Sequence, residues 1–192
     1  MRTTRIILET INALALGIWA GMLVFVGIAA ALTFPMMKEL DPTLPAYALY
    51  EGQHWRIAAG SVMNPLFSAV GTIGMVALFI AAAVFALRIV TWKRGIGWFP
   101  IVTRTVLFIG LCFVQCVTHF GLWRQMDQLF RMFSQGAQEG DVYFAEDALA
   151  KFNLLHPIAT PMMSVLLFLI VAYLIVSLLT SFRIRTNDEA DV

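Results

Sequence analysis

The sequence predicts an all-α integral membrane protein, a four-transmembrane-helix up-down bundle with two outer-face amphipathic segments. Of its 192 residues 60% are hydrophobic and 13% charged, and a mean hydropathy of +0.80 lies outside the range of water-soluble domains. A bilayer core needs roughly 20 apolar residues of helix, and four such spans are present at about 10–37, 57–87, 101–123 and 156–182. Polar residues inside these spans recur every three or four positions, the period that places side chains on one face of a helix. A single domain over 1–182 is expected, followed by a disordered cytoplasmic tail over 183–192. The formal net charge of +1 and the lack of a Gly-rich phosphate loop argue against a nucleic-acid partner.

The first apolar run follows Arg2 and Arg5. A secretory leader has an apolar region of about 7 to 15 residues, so this longer run reads as a span that is kept. Within it Ala13, Gly17 and Gly21 repeat at four-residue spacing, which lets another helix approach closely. Packing inside the bundle is the expected use, with contact to a second copy or to a membrane-complex partner as the other. Glu9 lies four residues after Arg5 and is expected to pair with it.

From Lys38 to Arg56, Pro42 and Pro45 precede Leu44, Tyr47, Ala48, His54 and Trp55 at roughly helical spacing, which predicts a short interfacial helix. The second span carries a stripe of Ser61, Asn64, Ser68 and Thr72, and Pro65 is expected to kink it. Asn64 is the residue expected to bond to another helix.

Gly95, Gly97 and Pro100 predict a short connector, with Lys93 and Arg94 on the cytoplasmic side. In the third span Cys112, Gln115, Cys116 and His119 share one face, which lipid cannot satisfy and which should therefore face protein. Cys112 and Cys116, one helical turn apart, read as buried thiols without a disulfide. The helix is expected to continue beyond the bilayer, because Arg124, Asp127 and Arg131 line up along one face before Gly136 and Gly140 end it.

Residues 141–155 are again amphipathic, with Ala145, Ala148, Leu149, Phe152 and Leu155 on one side. The fourth span opens with His156, Thr160 and Ser164 at four-residue steps, interrupted by Pro157 and Pro161. Sorting the thirteen basic residues between the two sides puts eight with the termini and five with the acidic loops, so both termini are expected in the cytoplasm of a cell whose inner (plasma) membrane the protein crosses.

The stretch WAGMLVFVGIAAALTFPMMKEL, His54 ahead of the second span, the extended third helix and KFNLLHPIATPMMSVLL resemble domain of unknown function 4149, a family related to eukaryotic transmembrane protein 205. The resemblance covers most of the chain and implies a small multi-pass membrane fold. Pro157 and Pro161 depart from its pattern, standing where a small residue and an amide are expected. A more distant likeness is to copper-resistance and protoporphyrinogen-oxidase type four-helix membrane proteins, which implies metal or haem. Those proteins typically have a histidine early in helix 1, where this chain has Asn12.

Two functions compete. The first is non-enzymatic: a structural or accessory subunit, or a small-solute or cation transporter using the polar seam, with no cofactor. The alternative is a haem b or transition-metal redox protein using His54, His119 and His156, since imidazole is a common metal ligand. Depth favours two ligands over three: at about 1.5 Å per residue, His119 lies roughly 22 Å, His156 about 40 Å and His54 about 51 Å from the inner arginines. His156 with His54 is the pair preferred on that count.

Overall fold

A computed structural model describes residues 2–91 and 98–190, with side chains for residues 4, 6–88 and 101–180. Five α-helices run along the chain: α1 (Arg2–Leu40), α2 (His54–Thr91), α3 (Trp98–Cys116), α4 (Arg124–Glu139) and α5 (Val142–Ala190). A π-helical segment, Val117–Trp123, joins α3 to α4 without a break. Four stretches are long and apolar enough to cross a membrane, Ile6–Leu40, His54–Arg88, Ile101–Glu139 and Val142–Thr180, and no strand occurs among the described residues. The protein is therefore an all-α, four-helix, multi-pass membrane protein.

The membrane-length helical stretches, at 35 to 39 residues, are longer than the spans read from hydropathy. They carry amphipathic extensions at their ends, so apolar runs alone underestimate them. α2 continues through Pro65 and α5 through Pro157 and Pro161, as transmembrane helices permit where neighbours satisfy the released carbonyls. The interruption expected at the fourth-span prolines is not an end of helix. α5 extends to Ala190. The Arg5 side chain, the connector glycines and residues 191–192 lie outside the described residues.

Contacts divide the chain into two units: unit 1 is Met1–Gly21, Ile73–Gln115 and Ser164–Val192, and unit 2 is Met22–Thr72 and Cys116–Met163. In unit 1, α1 turns Asn12, Leu16 and Trp19 inward, and Ala77, Ala81, Leu111, Leu166, Ile170 and Tyr173 complete the buried interior. Gly74 is what lets the indole in: a Cβ there would lie 2.6 Å from Trp19 Nε1 and 2.7 Å from Gln115 Nε2. Gly17 and Gly21 are exposed, and a Cβ at either would meet nothing within 4 Å. The expectation that this stripe packs inside the bundle is thus corrected, because the inward face of α1 is the Asn12, Leu16, Trp19 face.

Unit 2 is built on a cluster of Tyr50, Ile57, Phe133, Ala137, Ala145, Ala148 and Leu149. The start of α5 lies against α4 at Gly136, where a Cβ would come within 2.9 Å of the Ala145 backbone nitrogen. α4 ends at Gly140, in the left-handed conformation at φ 75° that glycine tolerates. Asp141 caps α5 by accepting the Phe144 amide at 3.0 Å.

Between α1 and α2 the expected interfacial helix is reduced to a single 3-10 turn, Pro45–Tyr47. Pro42 and Pro45 supply no amide donors, and the loop is held instead by side chains. Tyr47 shares a hydrogen bond with Ser134 (2.8 Å), and the Tyr50 hydroxyl donates to Glu146 (2.5 Å). Burial, together with that carboxylate acceptor, pushes the Tyr50 phenol well above its usual range.

Candidate functional site

The candidate site is a cleft of about 320 Å³ in unit 2. α2 lines it with Gly60, Met63, Asn64, Phe67 and Ser68, positions whose spacing keeps them on one helix face. α5 adds Phe152, His156, Ala159, Thr160 and Met163, and α1 adds Phe34. The remaining wall comes from α4 and the π-helical segment, through His119, Phe120, Trp123, Arg124, Met126, Asp127 and Phe130.

The π-helical turn explains why the neighbours His119 and Phe120 both reach this cleft. Bonding i to i+5 puts more residues into each turn and fans successive side chains over a narrower arc than an α-helix does. Their rings sit edge to face at 4.9 Å. Gly71 gives the segment its room on the α2 side: a Cβ there would lie 2.7 Å from the Trp123 ring and 2.8 Å from His119 Nδ1. That Nδ1 is buried and has no hydrogen-bond partner among the described residues. His156 is exposed, with Phe34 at 6.4 Å and Phe152 at 5.9 Å between ring centres.

The charged groups are largely satisfied by protein. Asn64 Nδ2 donates to Asp127 Oδ1 at 2.6 Å, and Arg131 Nε donates to Asp127 Oδ2 at 3.0 Å. Both carboxylate oxygens are engaged. Asn64 and Phe130 also border a second, more polar cleft of about 420 Å³, with Ser61, Arg131, Ser134 and Gln138.

The residues singled out in the sequence fall in both units. Asn64, Ser68, His119 and Thr160 line the first cleft, and Ser61 lines the second. Thr72 turns back to the Ser68 carbonyl at 3.1 Å. Cys112, Gln115 and Ser164 belong to unit 1, and Cys116 is exposed, contrary to the burial expected for both thiols. His54 stands apart from the other two histidines: its Nδ1 accepts the Leu44 amide at 2.9 Å, and its Nε2 meets the Tyr50 carbonyl at 2.7 Å. Both ring nitrogens are therefore committed to holding the loop. Among the described residues no three His, Cys, Asp or Glu side chains gather as metal ligands.

Unit 1 holds a second polar assembly that the sequence gave little reason to expect. Glu9 Oε1 takes ion pairs from both Arg88 and Arg104, the latter at 3.2 Å. Glu9 Oε2 accepts from Ser177 Oγ at 3.2 Å. Arg104 Nε donates to the Tyr173 hydroxyl at 3.2 Å, and its guanidinium lies 5.1 Å from the centre of that ring. Arg104, near the start of α3, is 0% exposed. The clue was Glu9, an acid near a helix start with basic residues at the ends of the neighbouring spans.

Comparison with known protein families, with curated proteins and with solved structures found no match.

Proposed function

We propose that the protein is a non-enzymatic carrier or binding subunit that holds a small, mostly apolar solute in the unit 2 cleft. The observation that carries this reading is the lining of that cleft, rich in phenylalanine and methionine with His119 among its few polar groups. An apolar cleft with few convergent polar groups is the usual form of a small-molecule site. The Asp127 carboxylate is already engaged by Asn64 and Arg131, which favours a neutral solute with one hydrogen-bonding group over a cation. The setting we propose is the inner membrane with both termini cytoplasmic, supported by the distribution of basic residues.

The test uses the full chain in nanodiscs and the quenching of tryptophan fluorescence by a short-chain neutral quinone, with tetraphenylphosphonium as the cationic comparison. Saturable quenching by the quinone is expected. Ala159→Trp, which fills the cleft, should abolish it, and His119→Phe should weaken it about tenfold, the worth of one hydrogen bond in a desolvated site. Quenching that does not saturate, or that survives Ala159→Trp, refutes the reading.

One observation favours a second reading: His119 and His156 line the same cleft. These two residues would hold haem, which supplies one-electron chemistry when bound. A Soret band lost in either histidine→Ala variant supports it, and colourless protein from cells supplied with haem refutes it.

A further inference from the structure

The two clefts of unit 2 stand on either side of one hydrogen-bonded triad. Asp127 lines the first cleft, Arg131 lines the second, and Asn64 lines both. Asn64 Nδ2 donates to one oxygen of Asp127 at 2.6 Å, and Arg131 Nε donates to the other at 3.0 Å. Phe130 is the other residue common to the two walls. Its ring lies against α2 at Gly60, where a Cβ would come within 2.1 Å of it. An amide and an aromatic ring therefore form the partition between the clefts.

Their linings differ as the two ends of an amphiphile differ, and the sequence of α4 is the reason. Met126 and Phe130, four residues apart, give that helix an apolar edge on the first cleft. Arg131, Ser134, Gln135 and Gln138, at i, i+3, i+4 and i+7, give it a polar stripe on the second. Ser61 faces that stripe from α2. Small-molecule sites usually have volumes of about 300 to 1,000 Å³. Each cleft alone, at about 320 and 420 Å³, is at the low end of that range, and the two together fall well inside it.

The triad decides the charge of the polar end. Arg131 is the one charged residue lining the second cleft, and its Nε is already bonded to Asp127. An anionic head would compete with Asp127 for that guanidinium, and a cationic head would compete with Arg131 and Asn64 for the carboxylate. A neutral head leaves the triad intact. The remaining groups of the second cleft are hydroxyls and primary amides, which both donate and accept hydrogen bonds, as the hydroxyls of a polyol do. We propose that the solute of unit 2 is a single-chain amphiphile with a neutral polyhydroxyl head. Its chain fills the first cleft, and its head passes the Asn64 and Phe130 partition to bond Ser61, Gln135 and Gln138 in the second. This rests on the first cleft being a solute site, as proposed above.

The test titrates the full chain in nanodiscs with a monoglyceride whose medium-length chain is brominated, since bromine quenches tryptophan on contact and Trp123 lines the first cleft. Saturable quenching is expected, half-complete at about tenfold lower concentration than with the methyl ester of the same chain, the worth of one or two hydrogen bonds from the head. Ser61→Phe, at an exposed position, fills the second cleft; it should remove that advantage and leave binding of the ester unchanged. Gln138→Leu, also exposed, should reduce the advantage, and it decides the matter if Ser61→Phe does not fold. The outcomes separate the two readings. Saturable quenching by the ester with no tighter binding of the monoglyceride overturns the amphiphile and leaves the first cleft a solute site, whereas saturation by neither compound overturns both. Tighter binding of the fatty acid or the alkylamine of the same chain than of the monoglyceride, or an advantage that survives both substitutions, also overturns the proposal.

Discussion

Asn64 shows how much one side chain can do in this fold. Its amide donates to Asp127, and the same residue stands at the border of both clefts. Asn64→Leu is expected to lower stability by about 0.5 to 2 kcal/mol, the scale of hydrogen bonds between helices in membranes. Phe79→Leu, at a side chain 69% exposed, should cost less; thermal denaturation in detergent compares them. Tyr50 provides a pH signature outside the spans. Because folding raises the phenol's pKa, the folded state favours the protonated form. The resulting stability is complete below the unfolded value of about 10 and is lost as pH rises above it. Melting temperatures at pH 8 and pH 11 should therefore differ more in the parent than in Tyr50→Phe. His119 was legible as a polar residue on an apolar helix, but its unpartnered nitrogen was not, since that depends on what the neighbouring helix places beside it.

At the scale of elements, glycine positions separate packed faces from open ones. A Cβ at Gly60 would lie 2.1 Å from the Phe130 ring, whereas one at Gly17 would meet nothing. Gly60→Val should destabilise by about 1 to 3 kcal/mol through overpacking, and Gly17→Ala should leave the melting temperature unchanged or slightly higher. The four long helices were readable because lipid imposes length and hydropathy on any span. The π-helical segment was not. Nothing in VTHFGLW breaks the α-helical period, and the wider turn reveals itself only in the hydrogen bonding. The loop before α2 misled for a related reason: its apolar residues do recur at helical spacing, but they serve as separate anchors, Tyr47 on Ser134 and Tyr50 on Glu146.

At the scale of the whole molecule, the distribution of basic residues makes a topological claim. Reporter fusions at Val192 and near Gly95 should be active in the cytoplasm, and fusions near Pro42 and Gly140 should report the opposite side; a reversed result at any of these sites would overturn the four-span orientation. The division into two units was illegible because every span contributes to both, and no linker or change in composition marks a boundary. That division also sets an order of biogenesis. A chain emerges from the ribosome N-terminus first, and the last residues unit 2 requires end at Met163, whereas unit 1 still awaits Ser164–Val192. Glu9, Arg88 and Arg104 are thus all synthesised before Tyr173 and Ser177, leaving the nascent protein to shelter an incomplete ionic centre in the membrane until its final segment arrives.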